Sequence, residues 1–186
     1  MNRRHALTLV ASAATLASLA QTGAMAQTAA PIGDAEMKHA AATKMVGTLS
    51  LATSRVAAAK ATDDIVKQFA GWEVAEQETI GDILKSMEMS ADAAQGALMP
   101  PTESETEAAL DAAGKAELTK LTGETGAAFD KAYVSAQLDG HKKLLQIQED
   151  YLKVGKVREH LSVAKLARGM VKEHIDHLEM LKTHLA

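Results

Sequence analysis

The chain of 186 residues contains no cysteine, and only 3% of its residues are aromatic. The absence of cysteine excludes disulfides and thiolate chemistry and leaves the cellular compartment open. Aromatic and β-branched side chains usually fill a sheet, so their scarcity beside abundant Ala, Leu, Met, Glu and Lys favours an all-α protein. The length suits a single domain with a hydrophobic core.

An excess of basic residues is also absent. The formal net charge is −4 at pH 7, and no cluster of lysines and arginines with interleaved aromatic residues occurs. Surfaces that bind nucleic acids generally carry such a cluster, so the sequence argues against a nucleic-acid partner. Neither a Ser-His-Asp order nor a glycine-rich phosphate loop is recognisable, which favours a protein that is not an enzyme.

Residues 1–26 have the three parts of a secretory signal: Arg3-Arg4, an uncharged run rich in Ala, Leu and Val, and the small-residue end Ala24-Met25-Ala26. The pattern predicts cleavage after Ala26 and a protein of the bacterial periplasm, soluble or loosely attached to the envelope. The alternative is an uncleaved anchor, but the run is poorer in strongly apolar residues than a membrane span of roughly 20 residues. Arg3-Arg4 also resembles a twin-arginine export signal, although an ordinary signal fits equally well.

Four long helices are predicted after a short tether at residues 27–33. Apolar spacings of three and four residues predict helices over residues 34–60, from about residue 62 to a point before Pro100-Pro101, over 125–154 and over 156–185. A long connection joins the second and third of these helices, with a short helix near residues 116–121 inside it. The prediction is a four-helix bundle over residues 34–186 in up-down-up-down order.

Each long helix has a predicted inner face. The face of the first helix consists of Ala42, Met45, Leu49, Ala52, Val56 and Ala59. That of the second consists of Ile65, Phe69, Trp72, Glu76, Ile80, Ile83 and Met87, with Val66, Ala70, Glu73, Gln77 and Leu84 at its edge. The third helix offers Val134, Leu138, His141, Leu145, Gln148 and Leu152. The fourth offers His160, Ala164, Ala167, Val171, His174, Leu178, Leu181 and Leu185.

Polar residues occur near the middle of these faces. Helices of similar length have their midpoints at one height, and these midpoints fall near residues 47–48, Gln77, His141 and His174. The sequence therefore predicts a polar layer across the centre of the bundle, with Glu73 and Glu76 one turn away.

The layer has two interpretations. Imidazole and carboxylate groups on facing helices can bind a transition metal such as zinc, iron or copper. Alternatively, the same groups are hydrogen-bonded core or edge residues, because buried polar groups need partners in any case. The candidate metal ligands are His141, His174, Glu73, Glu76 and His177.

A di-iron carboxylate site is disfavoured. Such a site needs a Glu-x-x-His pair from each of two helices. Only Glu36-x-x-His39 has this spacing, and it lies near a helix start, away from the predicted layer.

Three segments resemble a known bacterial family, the domain of unknown function numbered 4142. The segments are residues 65–70 before Glu76-Gln77, residues 127–133 leading to His141, and Glu173-His174. The resemblance implies a ferritin-like fold and an exported protein of the periplasm or outer membrane, without a settled activity. The family commonly has an acid-His pair in the second helix, where this chain has Gln77, and another in the third, where Gly140 precedes His141. These departures argue against transferring a family-wide metal site.

Three functions are compatible with these observations. The leading hypothesis is an exported, non-enzymatic helical bundle with a binding or envelope-protective role, either monomeric or a homo-oligomer. The rival is a metal-binding or redox protein that uses the mid-bundle His/Glu layer. A carrier of apolar ligands is the third, and it rests only on the Met- and Ala-rich helix faces.

Overall fold

The computed structural model describes residues 32–89 and 96–186, and these ranges contain six helices and no strand. The predicted signal peptide and most of the tether lie outside the described residues. The helices are α1 (Asp34–Lys60), α2 (Asp64–Met87), α3 (Glu103–Ala109), α4 (Ala112–Gly123), α5 (Gly126–Val154) and α6 (Arg158–His184). The all-α prediction is confirmed in the described residues, and the predicted bounds of α1, α5 and α6 and the predicted start of α2 agree with the structure to within about two residues. For α2 the sequence predicts only an end before Pro100-Pro101, and the helix ends at Met87.

The described part of the connection between α2 and α5, residues 96–125, holds two short helices, where the sequence predicts one. Thr102 begins α3 through a capping box, because its hydroxyl accepts from Glu105 N while the Glu105 side chain accepts from Thr102 N. Asp111 begins α4 by accepting from Gly114 N at 2.7 Å. Both capping signals are visible in the sequence.

Side-chain pairs along α1 and α5 fix their relative direction. His39, near the start of α1, lies 2.6 Å from Gln148, near the end of α5, measured from Nε2 to Oε1. Ser54, later in α1, lies 2.8 Å from Tyr133, early in α5, measured between the two hydroxyl oxygens. The two helices therefore run antiparallel.

Helices α2 and α5 run in the same direction. The chain reverses at residues 61–63, and Ser50 of α1 contacts Glu73 of α2, so α2 is also antiparallel to α1. At the far end of α6, His184 returns to Asp63. The order of the long helices is up-down-down-up, and the predicted up-down-up-down order is wrong. The reason is that α5 begins beside the start of α2 and not beside its end, and the described helices α3 and α4 that precede it pack against α1.

The long helices contact one another in a ring: α1 touches α2 and α5, and α6 touches α5 and α2. We call the two ends of this arrangement the Asp63 end and the Glu36 end. Apolar side chains fill the Asp63 end, among them Val66, Phe69, Phe129, Tyr133, Leu138 and Leu178. No helix in the described part of the chain has the length and hydropathy of a membrane span.

The predicted inner faces of α5 and α6 are largely correct, whereas that of α1 is wrong. Met45 is 57% exposed, and the buried side of α1 is mostly polar. Its buried polar residues are Glu36, His39, Thr43, Ser50, Thr53 and Ser54. These groups tolerate burial because nearly all form hydrogen bonds, which the apolar periodicity does not reveal.

The inner face of α2 is rotated from its predicted position. Ile65 and Trp72 are half exposed, while Val66, Ala70 and Glu73 are buried. These three residues belong to the predicted edge of the stripe. The rotation places the Glu73 carboxylate, with no exposed surface, at the centre of the molecule.

Candidate metal centre

Three side chains from three helices converge at mid-height. Glu73 Oε2 of α2 lies 3.3 Å from His141 Nε2 of α5 and 3.0 Å from His174 Nδ1 of α6. The two imidazole nitrogens are 3.1 Å apart. All three side chains are buried, and they are the only His, Asp and Glu group among the described residues with ligand atoms this close.

The size of this triangle matches the ligand face of a small cation. With edges of 3.0, 3.1 and 3.3 Å, each ligand atom lies about 1.8 Å from the centre. Bonds from zinc to nitrogen and oxygen are about 2.0–2.2 Å, so an ion about 1 Å above the plane reaches all three atoms. Such bonds place neighbouring ligands about 2.8–3.1 Å apart in an octahedron and about 3.3–3.6 Å apart in a tetrahedron, so the three edges fall at or just below the tetrahedral spacing.

The second oxygen of Glu73 is held by two neutral donors. Ser50 Oγ donates to Glu73 Oε1 at 2.5 Å, and Gln77 Nε2 donates to the same oxygen at 2.9 Å. Oε2 makes no well-aligned hydrogen bond and faces the two imidazoles. The carboxylate is therefore oriented with one oxygen anchored and the other directed into the cluster.

Each imidazole is oriented by its other nitrogen. His141 Nδ1 lies 2.8 Å from the carbonyl oxygen of Gln137, so Nδ1–H donates. Nε2 faces Glu73, with a lone pair in the neutral imidazole and a proton to donate in the charged one. His174 Nε2 lies 3.3 Å from Glu76 Oε1, so the same assignment directs Nδ1 into the cluster. Partners of this kind orient histidine ligands in metalloproteins.

The charges of the cluster favour a bound cation. Burial alone raises the pKa of Glu73, but the interactions with His141 and His174 outweigh it and hold that pKa well below its usual range. Burial lowers the pKa of His174, but Glu73 and Glu76 outweigh it and raise that pKa to about 9. At neutral pH the buried Glu73 carboxylate thus has a positive charge beside it, which is carried either by the protonated His174 imidazole or by a metal ion.

Of the five predicted ligands, the structure brings together Glu73, His141 and His174. Glu76 lies behind His174 and contacts the nitrogen that points away from the cluster. His177 is exposed and lies against Trp72, with 6.4 Å between ring centroids, so it does not join the group. Binding of a metal by these residues stays a prediction.

A second polar cluster, which sequence reasoning missed, occupies the Glu36 end. Glu36 Oε1 accepts from Tyr151 Oη at 3.0 Å and from the backbone of Lys156 at 3.1 Å. His39 stacks on Tyr151, with 4.1 Å between ring centroids, and His160 lies beside both. The Glu-x-x-His spacing in α1 is the one signal that could have pointed to this cluster.

The ring of helices and its buried two-histidine, one-glutamate cluster define an all-helical protein with a candidate metal centre. The chain belongs to the family described as Domain of unknown function (DUF4142), whose model matches residues 14–181. The predicted resemblance is confirmed. No curated protein and no solved structure matches the chain.

Proposed function

We propose that the protein binds one divalent first-row transition-metal ion through Glu73 Oε2, His141 Nε2 and His174 Nδ1. The observation that carries the proposal is the convergence of these atoms at 3.0–3.3 Å, each on a side chain oriented by a further partner. This function corresponds to the second hypothesis from the sequence, a metal-binding or redox protein that uses the mid-bundle His/Glu layer.

The alternative is a purely structural hydrogen-bonded layer. In such a layer one proton between His141 Nε2 and His174 Nδ1 would join the two imidazoles, but Glu73 Oε2 would be left without a well-aligned hydrogen bond. Three convergent acceptors are well suited to a cation, because a metal accepts all three lone pairs at once. The anchoring of Glu73 Oε1 by Ser50 and Gln77 further supports this function, since it holds Oε2 in place.

The ligand set narrows the choice of ion. Two histidines and one carboxylate bind zinc in several hydrolases and iron(II) in many oxygenases. Calcium and magnesium prefer oxygen ligands, so they fit poorly. Within the described residues there is one such group, which supports a single ion instead of a di-iron pair.

Export and a ferritin-like bundle are further parts of the proposal. The signal-like residues 1–26 support a periplasmic location, with loose attachment to the envelope. The single long connection and the up-down-down-up order support a ferritin-like four-helix bundle. In this setting a metal-holding protein would serve a protective or binding role in the cell envelope.

Metal titration of the mature chain tests the proposal. The chelator-treated protein is titrated with Zn²⁺ and, without oxygen, with Fe²⁺, and the bound ion is counted by elemental analysis. We expect one tightly bound ion per chain. Glu73→Gln and His141→Leu should lose it while keeping the helical circular dichroism, and His177→Leu is the matched control that should retain it.

Wild-type protein that binds neither ion at this stoichiometry would contradict the proposal. Equal binding by wild type and His141→Leu would contradict it as well. Stability that is unchanged or increased in His141→Leu, without any change in bound metal, would then favour the structural layer.

A further inference from the structure

A small cavity lies beside the candidate ligands, between the central cluster and the Glu36 end. Its volume is about 20 Å³, and all four long helices contribute to its wall. This volume is the space open to the centre of a water-sized sphere, and roughly 10–15 Å³ of it is enough to hold one water molecule. His141 and His174 form one side of the cavity, and Thr43, Gln77 and Gln148 supply further polar groups.

Among the described residues, no fourth His, Asp or Glu side chain is positioned to close the site. The group of His, Asp and Glu side chains with convergent ligand atoms has three members among the described residues. The carboxylate of Glu76 lies beside the cluster, but it is engaged with the outer nitrogen of His174 at 3.3 Å. Structural zinc sites have four protein ligands, whereas sites that exchange ligands have three and an open position.

The cavity also has a route to solvent. Glu76, Ile80 and Met170, which line it from α2 and α6, are only half-buried. Its other walls include the buried side chains of Leu144, Ala167 and Val171. The exposed edge of the cavity therefore lies between α2 and α6, and its buried wall is largely apolar.

We infer that the metal ion held by Glu73, His141 and His174 has an open coordination position facing this cavity, occupied by water and exchangeable for one small anion. The inference rests on the proposed function. It assigns the centre to the ligand-exchanging class of metal sites. It also limits that ligand to a few atoms, because the cavity has room for little more than one water molecule.

Cobalt substitution tests the inference, because the visible absorption of protein-bound Co²⁺ reports its ligands. The metal-free protein is loaded with one equivalent of Co²⁺ and titrated with azide, then separately with imidazole. We expect azide to change the spectrum saturably and imidazole, which is too large for the cavity, to leave it unchanged.

Filling the cavity is the matched experiment. Ala167→Val adds two methyl groups to the wall, whereas Ala132→Val makes the same change at a partly buried position of α5 that does not line the cavity. We expect Ala167→Val to keep its Co²⁺ spectrum and to bind azide about tenfold more weakly or worse. Ala132→Val should match wild type.

The outcomes separate the two proposals. Co²⁺ that binds with a normal spectrum but does not respond to azide would overturn the open position and leave metal binding intact. A response to imidazole equal to that for azide would overturn the size limit. Failure of wild type to bind Co²⁺ would overturn the proposed function itself. Should Ala167→Val not fold, the comparison of azide with imidazole on wild type decides.

Discussion

At the scale of single residues, the candidate centre depends on how closely α1 approaches α2. Gly47 of α1 faces Gln77, and a Cβ atom at position 47 would lie 2.6 Å from Gln77 Oε1. The missing side chain therefore gives the Gln77 amide room to donate to Glu73. A glycine at the middle of a long helix here serves a close approach and not a turn.

Gly47→Ala should weaken metal binding by displacing Gln77. Loss of a group that orients a ligand typically lowers metal affinity by roughly 10–100-fold, and we expect the lower end of that range. Isothermal titration with Zn²⁺ measures it.

Gly71→Ala is the control for helix propensity. Gly71 lies in α2 with nothing within 4 Å of an added Cβ atom, so alanine should stabilise the protein by roughly 0.5–1 kcal/mol without changing affinity. Equal affinities for the two variants would show that Gln77 does not support the site.

At the scale of elements, residues 127–133, one of the segments that resemble the family, hold α5 against the turn between α1 and α2. Asp130 of α5 is buried, and it accepts from the backbone of Thr62 at 3.1 Å and of Asp63 at 3.0 Å, and from Thr62 Oγ1 at 2.5 Å. Its neighbours Phe129 and Tyr133 belong to the apolar core. Residues 127–133 thus stabilise the fold at the Asp63 end, whereas the other resembling segments lead to His141 and contain His174.

Asp130→Ala should destabilise the protein without removing the metal ligands. The bonds from the backbone of Thr62 and Asp63 are partly buried, and a hydrogen bond to a carboxylate contributes roughly 1.5–3 kcal/mol, so their removal should be measurable. Urea unfolding measures the loss of stability. Lys131→Ala, at an exposed neighbouring position, is the control and should change stability by less than about 0.5 kcal/mol. A metal affinity that falls in Asp130→Ala while the folded fraction stays complete would contradict this division.

Helix bounds and the mid-height layer could be predicted from the sequence, but helix direction could not. The layer was predicted because midpoints stay at one height whichever way a helix runs, so His141 and His174 were found despite the wrong order. Apolar spacing does not show that α3 and α4 pack along α1 before α5 begins. Nor does it show that Ser50 and His39 are buried, because their burial depends on hydrogen-bond partners distant in sequence.

At the scale of the whole molecule, buried histidines at the Glu36 end and in the central cluster make the stability of the fold depend on pH in opposite directions. Burial lowers the pKa of both His39 and His160 below 6.5, so these residues fold in the neutral form. The pKa of His174 is instead raised to about 9. A histidine whose pKa is lowered by folding destabilises the folded state as the pH falls below 6.5. A histidine whose pKa is raised by folding stabilises the folded state at low pH, and this stabilisation is lost as the pH rises from 6.5 through about 9.

The stability of the metal-free protein should therefore pass through a maximum near neutral pH. The free energy of unfolding in urea, measured from pH 4 to pH 10, checks this expectation. His160→Phe should weaken the acid-side loss and raise stability, because both ring nitrogens of His160 are buried without a hydrogen-bond partner. His174→Gln should weaken only the alkaline-side loss. A loss of stability below pH 6.5 that is unchanged in His160→Phe would contradict the assignment of that loss to His160.

The long connection has a consequence for how the molecule could be divided. Helices α1 and α2 form one hairpin, which carries Glu73, and α5 and α6 form another, which carries both histidines. A cut near residues 96–100, which are exposed, leaves each hairpin intact but separates the ligands. In such a split protein the ion would be the cross-link between two fragments. Their reassociation would then depend on metal concentration, so the two fragments would form a pair that assembles only when the metal is present.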